Sequence, residues 1–157
     1  MNFEKLTNQL QKSIGNAQSI ALGQDHTQIE PCHVLLAMLD NVEGGTSAIF
    51  EKAGFKVSEI KLKLNDEIKS LPSLKSPSGE ISVSSSLIKI FNLADRSAQK
   101  KNDRFISTEV FLEAMIDEKG KITNLLSNLG NLMELRKVLT DIRGSGTVDN
   151  PNVENER

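Results

Sequence analysis

The chain writes one segment twice. IEPCHVLLAML at 29–39 returns as ISTEVFLEAMI at 106–116, keeping the Ile, the Leu and the Ala-Met while the polar residues change. An offset of 77 also pairs Leu10 with Leu87, Ile14 with Phe91, Ala17 with Ala94 and Ala21 with Ala98, and an offset of 76 pairs Phe50 with Leu126 and Gly54 with Gly130. The paired positions are apolar or turn residues and the surface between them has drifted, which marks a duplicated unit. A unit of about 70 residues buries only a modest core, so the two copies should pack together.

Each copy reads as four helices. Leu10, Ile14, Ala17 and Ala21 recur at helical spacing, with Thr7 as cap or first-turn residue and Gly23 as the stop. Pro31 suits the first turn of a second helix, whose apolar face is Val34, Leu35, Met38 and Leu39. Ile49, Phe50 and Ala53 mark a short helix capped at Thr46 or Ser47 and ended by Gly54; Val57, Ile60, Leu64 and Ile68 mark a fourth. The Ser-, Pro- and Gly-rich SLPSLKSPSGE is a connector. The pattern restarts at Leu87, Phe91, Ala94 and Ala98, continues in a helix from Thr108 capped by Ser107, then in a short helix ended by Gly130, and closes with a helix to Ile142. The expected fold class is all-α, eight helices in two pseudo-symmetric four-helix repeats: repeat one at about 1–69, a connector at about 70–83 and repeat two at about 84–143. The polar tail GSGTVDNPNVENER, 144–157, is expected to be disordered or a linker.

Composition excludes several functions. With 19 Lys and Arg against 21 Asp and Glu, the net charge is −2, which provides no basic footprint for nucleic acid. No apolar run has the length of a signal peptide or a membrane span, and the single Cys32 can form no internal disulfide, so a soluble cytoplasmic protein is expected. Gly120-Lys121 lacks the upstream glycine and strand of a phosphate loop. Cys32 and His33 are neighbours on a helix and face different ways, so they form no thiolate–imidazole couple; two histidines and one cysteine without ligand spacing form no zinc site. Asp25/Glu30 and Asp103/Glu109 read as caps and solvated loops. No cofactor, metal or catalytic residue is expected. On the helix from Leu87, Ile88 and Leu93 lie off the core face and Ile90 at its edge, either packing on the other half or forming an exposed apolar strip for a partner.

TNQLQKSIGNAQSIALGQDHTQIEPCHVLLAML, then EGG, AGF and NDRFISTEVFLEAMI, closely resemble the amino-terminal, Clp-N double-repeat domain of the ClpB-type protein disaggregases, over nearly all of 1–143. The IEPxH and DxFIxxE stretches favour that family over the ClpA and ClpC unfoldases. The resemblance implies a hexameric ATP-driven chaperone of the cytoplasm and the stress response, cooperating with the DnaK system, whose amino-terminal domains engage unfolded or aggregated polypeptides. It implies that 144–157 begins a linker toward an ATPase module that this chain lacks. ATP and magnesium would then belong to that module, and this polypeptide, expected to be monomeric, should neither hydrolyse ATP nor disaggregate anything. It implies substrate-handling roles for Thr7, Asp103 and Glu109 and an apolar groove at Phe91, Leu93 and Val110. The periodicity instead places Phe91 in the core. The rival expectation is a docking module for an adaptor protein, as in ClpA and ClpC.

Overall fold

The computed structural model describes residues 2–74 and 80–157; part of the Ser/Pro-rich connector, 75–79, lies outside them. Eight α-helices lie within the described residues: α1 Asn8–Gly23, α2 Pro31–Asp40, α3 Thr46–Lys52, α4 Val57–Ser70, α5 Ser85–Lys100, α6 Thr108–Asp117, α7 Lys121–Ser127 and α8 Leu132–Arg143. The first three helices of one repeat have the same lengths as those of the other. The fold is all-α in two four-helix repeats, as the spacing implied.

The periodic residues form the core. Leu10, Ala17 and Ala21 of α1 and Leu87, Phe91, Ala94 and Ala98 of α5 are buried, and the apolar side chains of both repeats join in one cluster. Gly23 is the last residue of α1, the stop that the sequence suggested, and the chain turns away at Asp25, whose φ of 59° is matched by 61° at Asn102 after α5. At both exits a later amide folds back on the helix: His26 N–H donates to Ala21 O and Asp103 N–H to Ala98 O, each at 2.9 Å. A short Asx side chain tolerates this left-handed conformation better than most residues.

Two short extended pairings, too brief to show as alternation, join the repeats. The segment before α1 lies parallel to the segment before α6 (Leu6 opposite Ile106), and β2 Ser82–Val83 lies parallel to β1 Gln28–Ile29. The duplication offset carries one pairing onto the other: Thr7 N–H donates to Ile106 O at 3.0 Å, and Ser84 N–H to Ile29 O at 3.1 Å. Each repeat thus lends its leading segment to the other, the reciprocity of a two-fold interface. The helices follow the same exchange, with α3 packed on α8 and α4 on α7.

The two aligned glycines answer different demands. Gly54 has φ +91°, where a side chain is strained. Gly130 has no such need; a Cβ there would sit 2.5 Å from the Phe55 ring, which packs edge-on against Phe50 at 5.4 Å. Gly130→Ala should therefore cost about 1–3 kcal/mol in urea unfolding through overpacking. Phe55→Leu in the same chain should recover part of that loss, and strict additivity of the two changes would show that the ring is not the obstacle.

Candidate functional site

The 77-residue register places Asp103 and Glu109 opposite His26 and Cys32, so carboxylates in repeat two stand where repeat one has a buried imidazole and a buried thiol. Both carboxylate side chains have no exposure. They are not solvated loop residues, and the energetic cost of burying them demands cations. Arg143, the last residue of α8, supplies the first. Its guanidinium forks onto Asp103 at 2.5 and 2.6 Å and lies 3.9 Å from Glu109 Oε1. Arg157 supplies the second, donating to both Glu109 oxygens at 2.6 and 2.8 Å. The Glu109 hydrogen bonds push the Arg157 guanidinium further up, against its burial.

Reaching Glu109 requires 144–157 to be ordered, which corrects the expectation of a disordered tail. The segment folds back over the joint between the repeats. Val148 is buried, its N–H donates to Asp103 Oδ1 at 2.8 Å, and Arg104 N–H donates to Val148 O at 2.8 Å. Asn8 N–H, in the first turn of α1, donates to Pro151 O at 2.8 Å. A 3-10 turn at Val153–Glu156 then places Glu154 at the start of α6, where its Oε2 accepts from Thr108 N–H at 3.2 Å. Burial pushes the Glu154 carboxyl up, while the neighbouring Thr7 hydroxyl and the Thr108 amide hold it back.

Of the six residues expected to handle substrate, Thr7, Asp103 and Glu109 meet at this joint. Thr7 is the N-cap residue of α1, as the sequence implied, but it is fully buried and its hydroxyl caps nothing. The apolar trio divides differently. Phe91 is buried at 3%, in line with its periodicity, and packs on Phe111 at 5.3 Å. Val110 is completely buried, so it offers no surface to a partner; its counterpart His33 is buried as well. Leu93 is half-buried against the core. Ile88 is 44% exposed, but five residues separate it from Leu93, about 140° around the helix, so the two flank opposite edges of α5 and form no single strip. Ile90 is core. Above Phe91 lies a cavity of about 90 Å³ lined by Leu6, Phe91, Asn92, Asp95 and Ile106 among others. The residue that sequence reading missed is Phe3, 40% exposed and standing edge-on over Phe91 at 6.1 Å, rooted in a 3-10 turn too short for a periodic signal.

Cys32 and His33 do structural work. Burial, then the Glu67 and Glu30 charges, push the Cys32 thiol up to about 12, so it stays protonated. Glu30 N–H donates to His33 Nδ1 at 2.8 Å, so the neutral ring keeps its proton on Nε2, which faces His26 Nδ1 at 3.0 Å. Burial, then His26, lower His33 to about 4. Among the described residues, no three His, Cys, Asp or Glu side chains are grouped to hold a metal ion, and no helix is long and apolar enough to cross a membrane.

Two measurements check this electrostatic arrangement. Arg143→Met strands Asp103 and crowds Glu109, and should lower stability by about 3–5 kcal/mol in urea unfolding; a change below about 1 kcal/mol would mean that water already reaches Asp103. Between pH 6.5 and 4 the unfolded chain protonates His33 and the native chain does not, so its contribution is complete above pH 6.5 and falls as pH drops toward 4. By pH 5 the loss should be about 2 kcal/mol, and it should disappear in His33→Gln.

The chain is 37% identical over 158 residues to the chaperone protein ClpB of Pseudomonas putida, which covers all of this chain and 18% of that protein. It therefore spans less than a fifth of the curated relative's length. The fold matches the crystal structure of the Hsp104 N-terminal domain from Candida albicans, with TM-score 0.86 at 20% identity, over 96% of this chain and 99% of that one. It also matches a ClpV N-domain in complex with a VipB peptide, with TM-score 0.68 at 17% identity, over 88% and 89% of the two chains. Residues 5–129 match the Clp repeat (R) N-terminal domain. The chain belongs to the Clp repeat (R) N-terminal domain family.

Proposed function

We propose that this chain is the substrate-recognition domain of a ClpB-type disaggregase and binds exposed apolar segments of unfolded polypeptides. The observation that carries the reading is the Phe3–Phe91 ledge. An aromatic ring 40% exposed stands on a second ring over a cavity of about 90 Å³, within a domain whose full length aligns with a ClpB chaperone. The cavity admits a small aliphatic group and no more. The Lys5–Asp95 ion pair at 3.3 Å lies on its rim, and Leu93 offers a separate apolar patch on the other edge of α5. Small, shallow apolar sites suit weak, promiscuous binding, in which clients are held and passed on. Affinity is expected in the roughly micromolar range or weaker.

In this proposal Thr7, Asp103 and Glu109 brace the joint beneath the site, and Phe91 is its floor. The chain carries no nucleotide-binding motif and catalyses nothing by itself. ATP hydrolysis with magnesium, hexamer formation, threading and cooperation with the DnaK system belong to the longer protein. Residues 144–157 lead toward its ATPase module, and the protein works in the cytoplasm.

A second reading rests on the ClpV N-domain that shares the fold and holds a VipB peptide: a docking module for one dedicated partner. Titrating a permanently unfolded polypeptide into the labelled chain separates the two. Client binding should give fast-exchange amide shifts around Phe3, Phe91 and Leu93 with little sequence preference. Leu93→Gln should weaken them several-fold without moving the unfolding midpoint. No shift at millimolar polypeptide would sink the client-binding reading and move the dedicated partner to the front.

A further inference from the structure

The corner that receives the end of the chain has more polar capacity than its occupant uses. Glu154 and Arg157 are three residues apart, and the 3-10 turn at Val153–Glu156, with three residues per turn, presents both to one side. There they meet complementary partners. The carboxylate reaches the N-terminal amide of the ten-residue α6, where the helix dipole favours an anion, and the guanidinium forks onto Glu109. Two hydroxyls in the same corner, Thr7 Oγ1 and Ser107 Oγ, belong to fully buried residues, and no protein group hydrogen-bonds either of them. Glu154 Oε1 is likewise buried and unpartnered, although the Thr7 hydroxyl is near enough to favour its charged form. Beyond the turn, a cavity of about 280 Å³ continues between α3 and α8, walled by Ile49 and Ile142 and open at the exposed Val42.

We infer that this corner is a docking site for a turn of polypeptide carrying a carboxylate and, three residues later, a guanidinium, and that residues 153–157 occupy it in cis. Thr108 N–H and the Thr7 and Ser107 hydroxyls form the carboxylate pocket, Glu109 the guanidinium pocket, and the adjoining cavity takes an apolar side chain between or beside them. The occupant can leave by itself. Residues 146–148 are held separately, by Asp103, Arg143 and Arg104, so the turn can swing out while the preceding segment stays docked. Unfilled hydroxyls lower the gain from docking in cis, since a buried polar group left unpaired costs about 1–3 kcal/mol. The site is separate from the Phe3–Phe91 ledge, and the inference stands or falls independently of client binding there.

The test uses the full chain carrying Glu154→Gln and Arg157→Gln, which empties the corner, and a synthetic peptide of residues 150–157, NPNVENER, as probe. In the doubly substituted chain, the Thr108 and Asn8 amides should exchange with deuterium at least tenfold faster than in the unsubstituted chain, while Leu112 and Met115 inside α6 keep their protection and report an intact fold. The peptide should bind this chain with amide shifts at Asn8, Thr108 and Glu109, and at least tenfold more weakly to the unsubstituted chain, whose corner is filled. Peptides with Gln at either the 154 or the 157 position should lose at least tenfold in affinity. Unchanged exchange at Thr108, no shifts at millimolar peptide, or equal binding of the Gln peptides would each overturn the assignment. The chain with Arg157→Gln alone provides a second opened form should the double substitution disturb α6.

Discussion

Two backbone hydrogen bonds, Thr7 N–H to Ile106 O and Ser84 N–H to Ile29 O, tie the two repeats into one domain. They are the same bond written twice, exchanged across the pseudo-two-fold. Neither repeat can satisfy its own leading segment, because the extended stretch before α2 or α6 pairs with the stretch that precedes the first helix of the other copy. A four-helix unit of this size would be marginal by itself. Crossed pairing makes burial of the shared core and satisfaction of these backbone groups one event. It also brings Thr7, at the start of α1, against Ser107 and Thr108 at the start of α6, so the joint and the polar site are one place.

The pseudo-symmetry is kept in the backbone and broken in the chemistry. His26, Cys32 and His33 in repeat one are all buried: two hydrogen-bonded rings, of which burial lowers His33, and a thiol held protonated by burial. At the matching positions repeat two has Asp103, Glu109 and Val110. The two carboxylates are buried just as deeply, so repeat two must pair them with cations, Arg143 at the end of its own α8 and Arg157 from the following segment. Where one copy is self-sufficient, the other depends on a segment outside the repeat. That asymmetry turns a structural joint into a candidate recognition site.

The apolar surface follows a different logic. Burial on α5 leaves Ile88 and Leu93 on opposite edges, and the intervening Phe91 is reached only from the Phe3 side. A shallow ledge assembled from a 3-10 turn and a helix is compatible with the weak, many-partner binding proposed for it.

Most of the fold was legible in the sequence. The period of Leu10, Ile14, Ala17 and Ala21 and its return at Leu87, Phe91, Ala94 and Ala98 reported which helix faces are buried, and the 77-residue register established that the unit is doubled. What covers the ends of helices was not legible. The family resemblance put Val110 in an apolar groove, and the structure buries it completely; Glu109 read as a first-turn carboxylate in water, and only the arrival of Arg157 explains how it is buried. The polar tail looked disordered because it lacks apolar periodicity, yet it docks through single backbone bonds, one buried Val148 and one Arg fork, none of which leaves a pattern. Gly54 and Gly130 aligned as equivalent turn residues, and the tertiary structure separated them, one by its φ and the other by the Phe55 ring. Periodicity records an average environment along one helix, so the sequence alone determined the helices, their duplication and the core face of each. Crossed strand pairing, charge compensation and the covering of helix ends depend on single contacts between distant segments, and only the tertiary structure decided those.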